Sequence, residues 1–453
     1  MDLPVRTLPE LHDALRARRV SAAEVAEEAL AAHRREWNAY IRLEPDEVRA
    51  AAARADRMLA ELDEPPPLCG VPVSVKDLYG MDGVPTMAGT SRVLPDAWSR
   101  DAWLVRRLRE QGAVFTGKTH TVELAFGGVG MNPHHGTPWN PRDRAVHRIP
   151  GGSSAGAGVS LVEGSAWVAL GTDTGGSIRI PASMTGTVGH KTTQGRWPTD
   201  GVVPLSSTLD TVGALTRSVE DAAFFFGAVG WGDPVGFLAK DFGGATGEVR
   251  FARPDCALWR DCQPDLVAVL EDALTALEGA GWTPMETDGT LLDEAADFYL
   301  ASGIAAAECS AFLDRELPEW WELLDPTVSS RLQGAPSLDS QAYRQARVER
   351  ERRAGQVETA FGGADLLVLP GHLVTPPPVA ELAELARYKE VNRATLLPTC
   401  CGSALGLCGL TLPVGTDAAG MPVGLQLVAR SRADERLLEW GRRAEAVLGR
   451  PTS

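Results

Sequence analysis

Hydrophobic and polar positions along the chain follow two periods, and the change of period separates its parts. Residues 8–18 and 22–35 repeat apolar positions at helical spacing, and Ser21 with Glu24 stands in capping-box spacing before the second run. A third helical segment, 46–62, is alanine-rich and stops before Pro65, Pro66 and Pro67. The pattern then tightens. Residues 70–77, GVPVSVKD, form the short β-branched run of a buried strand, with Lys76 at its end. A helix over 101–111 and a strand over 112–117 follow, with Lys118 just beyond. Strand, helix and strand in alternation predict an α/β fold.

Farther on, 127–148 reads as a loop carrying Asn132, His134, His135, Asn140 and His147. Residues 150–180 pack two Gly-Ser clusters around one helix and one strand. The segment 206–213, SSTLDTVG, leads into a helix over 218–228, and 232–250 reads as a glycine-rich connection. A helix is predicted after Pro264, then a largely helical stretch over 290–360 with Trp320 and Trp321. Strands at 364–369, 410–415 and 424–428 precede a last helix over 432–449. No repeat of fixed period is visible.

Charge and composition remove several function classes. A net charge of −16 argues against nucleic acid or an anionic membrane as partner. No apolar run is long enough to span a bilayer, and the N-terminal residues lack the apolar centre of a signal peptide. The seven cysteines are scattered and form no C-x-x-C pair, so neither a zinc knuckle nor a redox dithiol is suggested. Reduced thiols in a cytoplasmic protein are the expectation. Only five lysines occur among the 44 basic residues, at 76, 118, 191, 240 and 389, which draws attention to where they stand.

The candidate chemistry lies in the two Gly-Ser clusters. Glycine at this density brings backbone close to something, and Ser153, Ser154 and Ser177 present hydroxyls beside it. Around Ser177, in GTDTGGSIR, the amides of Thr174, Gly175, Gly176 and Ser177 can converge as an oxyanion hole. An ordinary glycine turn or a phosphate nest is the alternative, although the P-loop pattern is absent. Gly152 to Gly156 also fits the G-x-S-x-G elbow, which would make Ser154 an esterase nucleophile dependent on His372. No serine stands three positions before a lysine, so a Ser-x-x-Lys dyad is excluded. His134 and His135 are adjacent and poorly disposed to share an ion, and no H-E-x-x-H occurs, so no metal is expected. Lys76 can be a structural ion pair, for example with Asp77, or a general base. The second role needs burial to depress an amine by about 4 kcal/mol worth of charge stabilisation.

Together the VSVKD strand, the Asn140-Pro141 turn, PGGSS, GTDTGGSIR, SSTLDTVG and the TLPVG…MPVGLQLVA tail resemble the amidase signature family over most of the chain. The resemblance implies an α/β fold of a single domain, residues 1–453, with a central mixed sheet sandwiched by helices. Within it, 1–65 is expected as an N-terminal helical layer and 66–230 as the signature core. Residues 231–400 are expected as a variable helical region that lines the substrate pocket, and 401–453 as terminal strands and helix. It also implies a Ser–cis-Ser–Lys triad, with Ser177 as nucleophile, Ser153 as bridge across a cis Gly152–Ser153 bond, and Lys76 as base. Thr174 through Ser177 then form the oxyanion hole. Gly152, Ser154, Asp173 and Arg179 support it, and Gly128, Met131 and Asn132 are expected to touch substrate. The implied activity is hydrolysis of a small-molecule amide without cofactor, with a homodimer as the assembly to test. The alternatives are a glutaminase-type subunit of an amidotransferase and an esterase-like hydrolase. The loop 127–135, HKTTQGR at 190–196 and CCGSALGLCG before TLPVG depart from the usual patterns, which favours a free-standing hydrolase.

Overall fold

The short apolar runs of the chain form one 11-stranded mixed sheet in the computed structural model, which describes residues 5–243 and 247–449. The strands are β1 (Tyr40–Arg42), β2 (Pro72–Lys76), β3 (Val114–Thr119), β4 (Val168–Asp173), β5 (Val188–Lys191), β6 (Thr211–Thr216), β7 (Arg250–Asp255), β8 (Thr283–Asp288), β9 (Leu366–Pro370), β10 (Cys408–Thr416) and β11 (Pro422–Ala429). Their order across the sheet is β1-β3-β2-β4-β6-β5-β10-β11-β9-β7-β8.

β2 lies between β3 and β4 and runs parallel to both. A parallel strand covered on both faces needs apolar residues on both, and all five residues of β2 are buried. Val73 and Val75 are fully buried, each contributing about 1.5–3 kcal/mol. The neighbouring parallel ends of β2 and β4 therefore deliver Lys76 and Asp173 to one edge, the position where open α/β sheets bind ligands. Helix Ala155–Glu163 leads into β4, and helix Arg179–Thr185 leaves it.

The N-terminal helices Leu8–Arg16 and Ala22–Ala32 form as expected, each opened by a complete capping box, on Thr7 with Glu10 and on Ser21 with Glu24. The region 231–400 is not merely helical: it supplies β7, β8 and β9 to the sheet. β8 reads as a polar segment because it is the last strand of the sheet, with alternately exposed residues and a proline that an edge strand tolerates. The glycine-rich connection contains helix Pro234–Ala239, and its residues 244–246 lie outside the described residues, as do 1–4 and 450–453. An unexpected 20-residue helix, Leu385–Ala404, spans the anticipated boundary at 400 and keeps Pro398 inside it. Pro398 supplies no N–H to the Ala394 carbonyl, while its own carbonyl accepts Gln426 Nε2 at 2.9 Å. No helix of the described residues is long and apolar enough to cross a membrane.

Candidate active site

At the end of β2, Lys76 is wholly buried and donates from Nζ to two hydroxyls, Ser153 Oγ at 2.7 Å and Thr172 Oγ1 at 2.8 Å. Asp77 is not its partner: that carboxylate pairs with Lys118 at 2.9 Å and accepts the Met87 amide at 3.1 Å. Burial therefore dominates and pulls the Lys76 amine down to about 7, against a partial upward pull from Asp210 and Asp173. A neutral amine in contact with a hydroxyl can accept its proton.

Ser153 follows a cis peptide bond from Gly152. The turn is pinned from both sides. Gly152 N–H donates to the Gly128 carbonyl at 2.7 Å, and the Val122 amide donates to the Ser153 carbonyl at 3.1 Å. Ser154 donates from Oγ to the Ser177 carbonyl at 2.5 Å, and its amide donates to the same oxygen at 3.3 Å. Ser154 thus ties the two Gly-Ser clusters together. Gly171 allows this approach, because a Cβ there would come within 3.0 Å of Ser154 Oγ. His372, on which the esterase alternative depended, is engaged elsewhere: its Nδ1 lies 2.6 Å from Ser183 Oγ.

The turn after β4 is held by a buried ion pair. Arg179 donates from Nε and Nη2 to the two oxygens of Asp173, both at 3.0 Å, and from Nη2 to Ser403 Oγ at 3.0 Å. Burial raises the Asp173 carboxyl, but Arg179, Lys191 and the Ile178 amide together outweigh it and hold the group below the usual carboxylate range. Asp173 Oδ1 also takes the Gly176 amide at 2.7 Å, and Oδ2 the Ile178 amide at 3.2 Å. The four converging amides expected here are accordingly reduced to three, since Gly176 N–H is already committed. The amides of Thr174, Gly175 and Ser177 have no acceptor among the described residues. Gly176 sits at φ 137, where a Cβ would come within 2.0 Å of Thr399 Oγ1.

Two of the three residues expected to touch substrate also have structural work. Asn132 is spent: Nδ2 donates to the carbonyls of Gly89 and Thr121 at 2.8 and 2.9 Å, while Oδ1 accepts the amides of His134 and His135 at 2.9 and 3.1 Å. Gly128 donates its amide to Asn392 Oδ1 at 2.8 Å and gives its carbonyl to Gly152, so it braces the Ser153 turn. Met131 keeps partial exposure and packs against an apolar cluster that includes Ile180 and Met184. His134 and His135 face different partners, Glu123 and the Thr90 carbonyl.

Several residues at the site escaped the sequence reading. Asp210 accepts Thr174 Oγ1 at 2.5 Å and the amides of Leu205 and Ser206, and burial raises it to about 6 despite those bonds. It lies within SSTLDTVG, so the signal was present in that motif. Thr172 likewise stands inside GTDTGGS. Asn392 and Thr399 carry no local signal, because only the helix Leu385–Ala404 brings them here; Thr399 Oγ1 donates to the Gly175 carbonyl at 2.6 Å. Tyr299 is a further case: a Cβ on Gly175 would come within 2.2 Å of its hydroxyl.

The Amidase family model matches residues 24–438. The chain is 43% identical over 438 residues to 2-amino-5-chloromuconic acid deaminase of Comamonas testosteroni, covering 96% of this chain and 94% of that one. It is 32% identical to one of the subunits of the glutamyl-tRNA(Gln) amidotransferase of Geobacter sp. (strain M21), covering 95% of each. A crystal structure of an amidase superposes with a TM-score of 0.87 at 33% identity, covering 98% of this chain and 100% of the other. The chain belongs to the amidase family and is an enzyme that hydrolyses C–N bonds.

Proposed function

We propose that this amidase releases ammonia from a small amide through an acyl-enzyme on Ser177, with Ser153 as proton bridge and Lys76 as base. The observation that carries the reading is the 2.7 Å contact between a buried amine that titrates near 7 and the Ser153 hydroxyl. Ser177 Oγ attacks the amide carbonyl carbon and gives its proton to Ser153, whose own proton passes to Lys76 Nζ. The carbonyl oxygen becomes an oxyanion, stabilised by the amides of Thr174, Gly175 and Ser177. The C–N bond breaks as the proton returns from Lys76 through Ser153 to the leaving nitrogen. Water then attacks the acyl group, loses its proton along the same path, and frees the acid and Ser177. Asp173 and Arg179 keep the turn in shape, and Asp210 orients Thr174.

Likeness to a deaminase over nearly the whole chain supports ammonia as the product. All seven cysteines are free and buried, which supports a reducing, cytoplasmic setting. The test is ammonia release from a panel of primary amides by the parent, Ser177→Ala and Lys76→Ala. Activity in the parent alone is the expected result. Parent-level activity in Ser177→Ala removes the mechanism, and a parent active only with a co-purified protein favours the reading as one component of an amidotransferase.

A further inference from the structure

We infer that Glu308 is a positioning residue for the hydrolytic reaction: it sets the turn over 205–210 and, through Asp210, aims the Thr174 amide at the oxyanion. The inference rests on the proposed hydrolase reading. It adds a carboxylate, outside both Gly-Ser clusters, that acts without touching substrate.

Glu308 lies on helix Ile304–Glu316 and is buried. A carboxylate in that setting is costly unless donors surround it. Its Oε2 accepts the Ser206 hydroxyl, and the Thr208 amide at 3.1 Å. Its Oε1 accepts the Thr208 hydroxyl, and the Tyr343 hydroxyl at 2.6 Å. All but the last of these donors belong to one turn, 100 and 102 residues earlier in the chain. That turn closes on itself, because the Ser206 carbonyl accepts the Leu209 and Asp210 amides at 3.1 and 2.8 Å. Leu209 packs against Ile304, Ala307 and Tyr343, so apolar contact holds the turn to the same helix. Gln194 Nε2 also donates to the Thr208 carbonyl.

The turn reaches the reacting groups through Asp210. Its Oδ2 accepts the amides of Leu205 and Ser206, both at 2.9 Å, and its Oδ1 accepts the Thr174 hydroxyl at 2.5 Å. β6 begins at the next residue and fixes the spacing: Thr211 lies opposite Asp173, and its Oγ1 donates to the Asp173 carbonyl at 2.7 Å. A shift of Ser206 or Thr208 therefore carries Asp210 and Thr174 with it. One cavity of about 80 Å³ joins the turn to the base, lined by Leu205, Ser207, Asp210 and by Thr172, whose hydroxyl meets Lys76. Glu308 does not line that cavity, so its influence runs through the turn. The oxyanion exists only while the reaction proceeds, so a misplaced Thr174 amide costs kcat rather than KM.

The test uses butyramide and 1-propaneboronic acid, whose tetrahedral adduct with Ser177 places an oxygen where the oxyanion forms. Glu308→Ala should lower kcat on butyramide about 100-fold with KM within about threefold of the parent, and weaken the boronic acid at least about tenfold. KM and the inhibition constant report folded enzyme alone, so a loss of folded protein does not imitate this pattern. Glu308→Gln should recover to within about fivefold of the parent. Its carbonyl can take the Thr208 amide and the Ser206 hydroxyl, while its NH2 donates to the hydroxyls of Thr208 and Tyr343. Parent-like inhibition of Glu308→Ala, a KM that rises as much as the inhibition constant, or a Glu308→Gln no better than Glu308→Ala overturns the inference. If Glu308→Ala yields no folded protein, Ser206→Ala takes its place, with the same pattern expected at about fivefold. If the parent neither cleaves butyramide nor binds the boronic acid, the hydrolase reading on these compounds fails separately. Hydrogen exchange in Glu308→Gln and Ser206→Ala then decides the positioning. Faster exchange over 172–178 and 203–212 than in the parent, with β9 unchanged, supports the inference. Parent-like exchange over 172–178, or equal acceleration in β9, overturns it.

Discussion

Replacing Lys76 by methionine keeps the length of the side chain and removes its amine, which isolates what burying that amine does to the fold. The amine ordinarily titrates at 10.5 and here at about 7, because burial outweighs Asp210 and Asp173. Between those values the unfolded chain holds a proton that the folded one lacks, so stability rises with pH through the window. The handicap is greatest below pH 7, about 5 kcal/mol, and it is gone above the unfolded value. At about 1.4 kcal/mol per decade, the parent gains about 2.5 kcal/mol relative to Lys76→Met from about pH 7.5 to about pH 9.5. Asp210, at about 6, and Asp173, below the usual range, stay ionised across this window, while Lys191 titrates at about 8 in both proteins and cancels. Urea unfolding followed by tryptophan fluorescence at constant ionic strength measures the difference. A stability gap that does not change over the window, or that moves in the variant's favour as pH rises, refutes the argument that Lys76 is held neutral by burial.

Three further outcomes follow from the same geometry. The pH profile of kcat/KM should show an acid limb near 7, activity rising as Lys76 loses its proton, and an acid limb below pH 5 would assign it to another group. Asp173→Asn leaves the buried Arg179 guanidinium without its charge partner and should cost about 3–5 kcal/mol by chemical denaturation, whereas a loss under about 1 kcal/mol would make the pair incidental. Gly176→Ala must fit a Cβ at 2.0 Å from Thr399 Oγ1 in a left-handed conformation, so it should destabilise by about 1–3 kcal/mol and lower kcat, and parent-like values for both would show that the turn can shift freely.

What was legible in the sequence follows from how local each signal is. β2 could be read because a parallel strand buried on both faces must be apolar throughout, and its end marks Lys76. The two Gly-Ser clusters could be read because close backbone approach demands glycine, and Ser153 and Ser177 stand inside them. β5 escaped because its His190 and Lys191 look like surface residues; Lys191 is instead buried, donating to the carbonyls of Thr192 and Leu407. β8 escaped because an edge strand can stay polar. The structural load on Asn132, whose amide meets four backbone groups, was not legible because a polar loop residue beside glycines looks available. Asn392, Thr399 and Tyr299 had no motif to mark them. Two helices far along the chain, Thr290–Ala301 and Leu385–Ala404, bring them to the site.

The central claim, that Ser177 carries the acyl group, is tested most directly by rapid acid quench of the enzyme during turnover of a cleaved amide, followed by fragmentation mass spectrometry. Ser153, Ser154 and Ser177 fall in one tryptic peptide, 149–179, so fragmentation must locate the added mass. The account predicts an acyl adduct on Ser177 that is absent from Ser177→Ala and fails to form in Lys76→Met. An adduct on Ser154 or Ser153, or steady turnover in Ser177→Ala, would contradict it.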